Sequence, residues 1–265
     1  MSIHRTVILR LLVGLVAAIG VAGGYIGSQR AYYYFNGTPK LCRAIEHGDL
    51  VEVQRLIRLG VSPSRAEDDG EAYCSPLEYA IIVRHLSIIR YLVEHGAGRY
   101  NPRTGDDLLN IAAGIGTPEI LAYLMQRFPD HDKATLLYYA AGGNYASRYD
   151  AGWHIENVEY LLANGAQPSI NKAIVNGQRA LHVARTPEIA ACLLAHGAQP
   201  NVRDNLGNTP LHHAAGIGNL PLVQLYLKQG LKVNDKTNDG KSVLWMAKYN
   251  RHPQVAAYLT AHGAR

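Results

Sequence analysis

At 265 residues, with 48% hydrophobic and 18% charged residues, the chain is globular in composition, which excludes wholesale disorder. The formal charge of +5 is uneven: residues 1–35 carry Arg5, Arg10 and Arg30 and no acid, leaving 23 basic against 21 acidic residues elsewhere. That near-neutral remainder shows no basic stripe, so no nucleic-acid partner is expected.

The first element is apolar. Leu11 to Gly27 runs for 17 residues without a charge, and extending back through Val7, Ile8 and Leu9 brings it to roughly 30 Å of helix, enough to cross a bilayer. Tyr25, Tyr32, Tyr33, Tyr34 and Phe35 cluster where such a helix would leave the membrane, as amphipathic rings do. The reading is a membrane contact through residues 7–27 inside a signal-anchor segment 1–35, with a single pass and residues 36–265 on the extracytoplasmic side. A cleaved secretory signal remains open, because Val21-Ala22-Gly23 offers a small-residue cleavage site; the product would be a secreted or periplasmic soluble factor.

From residue 36 onward the chain repeats itself. Seven units align on Leu41, Leu77, Leu109, Leu137, Leu181, Leu211 and Leu244, with a mean spacing close to 33 residues. The first keeps glycine stops at Gly48 and Gly60, and its Lys40, Arg43 and Glu46 suit a water-facing cap. The second has a lengthened loop around Glu71 to Cys74. In the third, Gly114-Ile115-Gly116 matches Gly216-Ile217-Gly218 of the sixth, which makes both triplets helix ends and not nucleotide loops. The fourth carries about nine extra residues between Ala141 and Ile155, and the fifth is cramped between Ala184 and Thr186. The seventh, ending at Arg265, forms the other cap.

The sixth unit states the pattern in full. Asn205 to Gly230 reads as a turn ending at Gly207, Thr209 as N-cap, Pro210 at the first helical position, then glycine stops at Gly218 and Gly230. Two short helices with stripes of Leu211, Ala214 and Ala215 and of Leu222, Val223, Leu225, Tyr226 and Leu227 cannot bury that surface alone, so they need neighbours. The period and the run T-P-L-H-H-A-A resemble the ankyrin repeat family. The resemblance implies a mainly α solenoid over residues 36–265, each unit a β-turn finger with an antiparallel helix pair. It also implies a protein-binding, non-catalytic role through the fingers and the concave helical face.

Little chemistry competes with that reading. No zinc spacing, H-E-x-x-H, G-x-S-x-G or phosphate loop occurs, so no metal, cofactor or catalytic residue is expected. His182 and His212 occupy the T-P-L-H position, while His95, His196 and His262 precede closing glycines. Asp68-Asp69-Gly70 and Asp239-Gly240 read as finger turns. Tyr91, Tyr123, Tyr160, Tyr226 and Tyr258 read as one packing stripe on the second helices, and Cys192 as a small core residue. Cys42 and Cys74 belong to adjacent units and pair only if the chain is exported. The insertion differs in kind. Tyr145, Arg148, Tyr149 and Trp153 are residue types enriched in binding hot spots, on a segment that the repeats do not require. They are the candidate partner-binding residues of a monomeric module, with a loop folded back on the helices as the plain alternative. An enzyme reading there has only Ser147 and His154 to draw on.

Overall fold

The computed structural model describes residues 40–64, 75–101, 106–143 and 154–265. The expected signal-anchor segment with residues 7–27, Cys74, and the insertion residues Tyr145, Arg148, Tyr149 and Trp153 lie outside them. Among the described residues no helix is long and apolar enough to cross a membrane.

Among the described residues seven helix pairs follow one another: α1 Lys40–Glu46 with α2 Leu50–Arg58, α3 Pro76–Ile82 with α4 Leu86–Glu94, and α5 Leu108–Ile115 with α6 Pro118–Arg127. Next come α7 Lys133–Ala141 with α8 Ile155–Leu161, α9 Ala180–Val183 with α10 Pro187–Ala195, α11 Pro210–Gly216 with α12 Leu220–Lys228, and α13 Val243–Tyr249 with α14 Pro253–Ala261. Punctuation explains the boundaries. Ser75, Thr117, Thr186 and Ser242 each accept a hydrogen bond from the amide three residues on, which satisfies donors that a helix start leaves orphaned. Stops fall where the chain enters the left-handed region, at Gly218 (φ 74°) and Gly230 (φ 83°). His95, His196 and His262 each place Nδ1 2.8 Å from the carbonyl four residues back, closing α4, α10 and α14.

Every first helix packs on the first helices of the units before and after it, and every second helix does likewise, so the pairs form a continuous stack. The seven reference leucines are all buried along its axis. Each side chain buried this way contributes about 1.5–3 kcal/mol, and since each pair lends its surface to the next, stability is shared between neighbours. Among the described residues the fingers form no strand, only single antiparallel bridges, Tyr100 with Asp107 and Lys236 with Ser242.

Three expectations need correction. Tyr91, Tyr123, Tyr160 and Tyr258 do share one half-buried place, but Tyr226 stands one residue further along its helix, in the place of Leu92 and Leu193, and is fully buried. Its hydroxyl donates to the Leu181 carbonyl at 2.9 Å, and burial drives its pKa strongly upward. Cys192 takes the half-buried tyrosine place and lines the edge of the core, with Sγ 3.8 Å from His196 Nδ1. The glycine triplets correspond in position but not in conformation: Gly116 has φ −72°, whereas Gly218 has φ 74°.

The fifth unit is as cramped as its sequence implies. Its first helix, α9, is a single turn, and Arg185 alone separates Ala184 from the Thr186 cap of α10.

Candidate partner-binding surface

Two rows of hydrogen bonds hold the stack in register and frame the surface that a partner would meet. In the second, fourth, fifth and sixth units the first row uses the residue after the reference leucine, Glu78, Tyr138, His182 and His212. Glu78, 1% exposed, takes the Ser75 amide and the Asn101 side-chain amide. Tyr138 donates its hydroxyl to Gln178 at 2.8 Å, and burial pushes its pKa up to about 12. His182 accepts from the Arg179 amide at 3.1 Å through Nδ1, which leaves Nε2–H to donate to the Asn208 carbonyl at 3.2 Å. His212 repeats the geometry on Thr209, with Nδ1 3.2 Å from its amide and 2.9 Å from its hydroxyl oxygen. Nε2 of His212 makes no hydrogen bond of good geometry, although the carbonyls of Lys241 and Asp235 lie near enough to favour its proton. Carboxylate, phenol and imidazole thus perform one task.

Around the fifth and sixth units this row becomes ionic. Burial would raise the Asp204 pKa, but hydrogen bonds from His213 Nε2 at 3.0 Å and from Asn208 hold it well below the usual carboxylate range. Burial, reinforced by His213 packed edge-on at 5.5 Å, lowers the His182 pKa to about 4. Arginines then stitch finger to finger: Arg179 donates to the Arg203 carbonyl at 3.0 Å, and Arg203 to that of Lys236 at 2.8 Å. Among the described residues no group of His, Cys, Asp and Glu is placed to hold a metal ion.

The second row runs along the turns between paired helices, the rim from which the insertion leaves. Here a side chain at the start of the second helix reaches back to the preceding turn. His252 Nε2 lies 3.0 Å from the Gly216 carbonyl, and Asn219 donates to that of Arg185 at 2.7 Å. Asn157, at a place that is apolar in the other units from the second onward, is fully buried and donates to Ala113 and Gly116 carbonyls at 2.9 Å. Arg84 goes furthest. Its Nε donates to Ile115 O at 3.0 Å and its Nη2 to His154 Nε2 at 2.6 Å, so it spans the turns of the second, third and fourth units.

The described ends of the insertion are therefore firmly held. On one side Gly142 and Gly143 pack against Val183 and Tyr138; on the other His154 takes the Arg84 guanidinium, and burial together with that cation lowers its pKa. The shortened turn at Arg185 lies directly beside, with its amide donating to Ala141 O at 3.2 Å. Extra length in one unit thus adjoins missing length in the next.

The comparisons agree with this architecture. A family model described as ankyrin repeats (3 copies) matches residues 144–235 and 181–265. Cyclin-dependent kinase 4 inhibitor B of Homo sapiens is 34% identical over 114 residues, 41% of this chain and 80% of that protein. The chain belongs to the ankyrin repeat family. Alpha-latrocrustotoxin-Lt1a of Latrodectus tredecimguttatus is 25% identical over 250 residues, 85% of this chain but 16% of its own length. The chain thus spans only a small part of that larger relative. The human ASB11 ankyrin repeat domain superposes with a TM-score of 0.59 at 22% identity, covering 83% of this chain and 97% of that one, a likeness of fold.

Within the ankyrin array, sequence reading missed one concentration of surface chemistry. Residues 228–265 hold seven of the basic residues, Lys228, Lys232, Lys236, Lys241, Lys248, Arg251 and Arg265, against two acids, Asp235 and Asp239. Counting charge unit by unit, and not over all residues beyond 35, would have found it.

Proposed function

We propose that this protein is a non-catalytic interaction module, an ankyrin array held to a membrane by residues 7–27 and presenting fingers, concave helices and the 142–154 insertion to a partner protein. The observation that carries the reading is the double row of ties, which fixes seven units as one continuous surface while leaving finger tips such as Leu206 and Tyr100 largely exposed. The kinase-inhibitor relative is, by its name, a protein that acts on another protein, and the ankyrin scaffold is generally non-catalytic. Tethering confines the array near the bilayer and raises its effective concentration for a partner held there. We place the array on the extracytoplasmic side, as a monomer. The Val21-Ala22-Gly23 site supports the second reading, a released soluble factor.

Proximity labelling from a tag after Arg265 tests compartment and neighbours together, with extracytoplasmic proteins expected; exclusively cytoplasmic labelling overturns the topology. N-terminal sequencing of the mature protein separates the anchor from the cleaved signal. Deleting Asn144 to Gly152 is expected to abolish capture of the labelled partner, and unchanged capture removes the insertion from the interface.

A further inference from the structure

We propose that the outer flank of α13, together with the finger of the seventh unit, is a docking surface for an acidic segment of a partner protein. Trp245 follows Leu244 and so holds the place from which Glu78, Tyr138 and His182 tie to the next finger. No finger stands beyond it among the described residues. Instead the indole stacks on Tyr249, with centroids 4.5 Å apart and planes 14° from parallel, and the Lys241 ammonium lies 4.7 Å from its ring centre. Tyr249 is 69% exposed. Among the described residues no further unit covers this ring pair, which the Lys241 ammonium flanks.

Charge selects the occupant. Lys241 is balanced by Asp239 at 2.9 Å and Asp235 by Arg203 at 3.3 Å, while Lys236, Lys248 and Arg251 are exposed with no carboxylate within 4.0 Å among the described residues. Residues 228–265 therefore present net positive charge, whereas residues 36–227 carry 16 basic and 19 acidic residues. The complement of this end is a carboxylate-rich chain. Nucleic acid fits less well, because Tyr249 and Lys241 already occupy the indole against the stacking of a base. A bilayer fits less well too, because the exposed tyrosine lies flat on Trp245.

The inference rests on the protein-binding reading but uses none of residues 144–153, so the two fail separately: insertion deletion leaves this surface intact. The test measures binding of a fluorescent Glu/Asp-rich peptide, and of its Gln/Asn counterpart, to the full chain in uncharged detergent. The acidic peptide is expected to bind and the neutral one not. Joint Lys248→Glu and Arg251→Asn substitution should weaken binding about tenfold at unchanged melting temperature, Asn being suited to the left-handed backbone of residue 251 (φ 61°). Arg127→Glu, on α6, should leave binding unchanged. If the double variant melts early, Lys236→Glu supplies the same reading from the finger. Absence of acidic-peptide binding, equal loss with Arg127→Glu, or binding only of phosphatidylserine vesicles or a single-stranded oligonucleotide overturns the proposal. So does sedimentation showing that this face is covered by a second copy of the chain.

Discussion

The fifth and sixth units use the same device and differ in how much chain surrounds it. Each has a histidine after its reference leucine whose Nδ1 holds the start of the first helix. In the sixth that helix is α11, seven residues closed by a left-handed glycine; in the fifth it is α9, four residues with no closing turn. Yet α9 still packs on α7 before it and α11 after it. Unit identity here resides in the ties at both ends, and helix length is the adjustable quantity.

The sharpest way to break the comparison is a pair of glycines five residues after their reference leucines. Gly142 has φ 133°, and a Cβ there would lie 2.3 Å from the Val183 carbonyl, pressed by the shortened fifth unit. Gly142→Ala is expected to cost at least about 3 kcal/mol, combining backbone strain with overpacking, read as a lowered urea midpoint. Recovery of the wild-type midpoint in that variant would mean that the fifth unit is not seated as described.

Acid should act next most strongly. His182 has a folded pKa of about 4, depressed from 6.5 by burial and then by His213. The unfolded chain therefore takes up this proton first as pH falls. The contribution is complete above about pH 6.5 and is lost progressively down to about pH 4, in total about 3 kcal/mol. Asp204 is depressed and not raised, so its share is complete above the ordinary carboxylate range and is lost as pH falls through that range and below it. Urea midpoints at pH 7.5 and 5.0 should differ clearly in the wild type and less in His182→Gln. Equal pH slopes in both would remove His182 as the source.

Smaller effects sharpen the contrast. Tyr226→Phe strands the Leu181 carbonyl, which the sixth unit holds for the fifth, and should cost about 1–2 kcal/mol in equilibrium unfolding. Gly216→Ala, the counterpart of the Gly142 substitution, meets nothing closer than the Asn250 side chain at 3.6 Å. At the end of α11 it should stay within about 0.5 kcal/mol of wild type, and a large loss there would erase the distinction between the two turns.

The repeat period, the reference leucines and the helix stops were legible in the sequence because each depends on residues close together in the chain. Tyr226 misled because five tyrosines near a leucine look alike in one dimension, while a shift of one residue turns a helix by about 100°. Histidine marked a repeated place at His182 and His212, but the tie from His182 to the next finger was not legible there. Glu78 and Tyr138 do the same work through different atoms, and nothing local to either residue says so. Asn157 was unreadable for a related reason, since its value lies in carbonyls more than forty residues away. The polarity of the seventh unit was present in the composition but averaged away.

Arrays of this kind change length over evolutionary time by gaining or losing whole modules, which is painless only where each module grips nothing but its immediate neighbours. The long reach of Arg84 to His154 breaks that freedom locally. Excising the third module would leave a guanidinium sized for two steps facing a gap of one, so lineages should add or drop modules elsewhere and keep the second, third and fourth together as an inherited block.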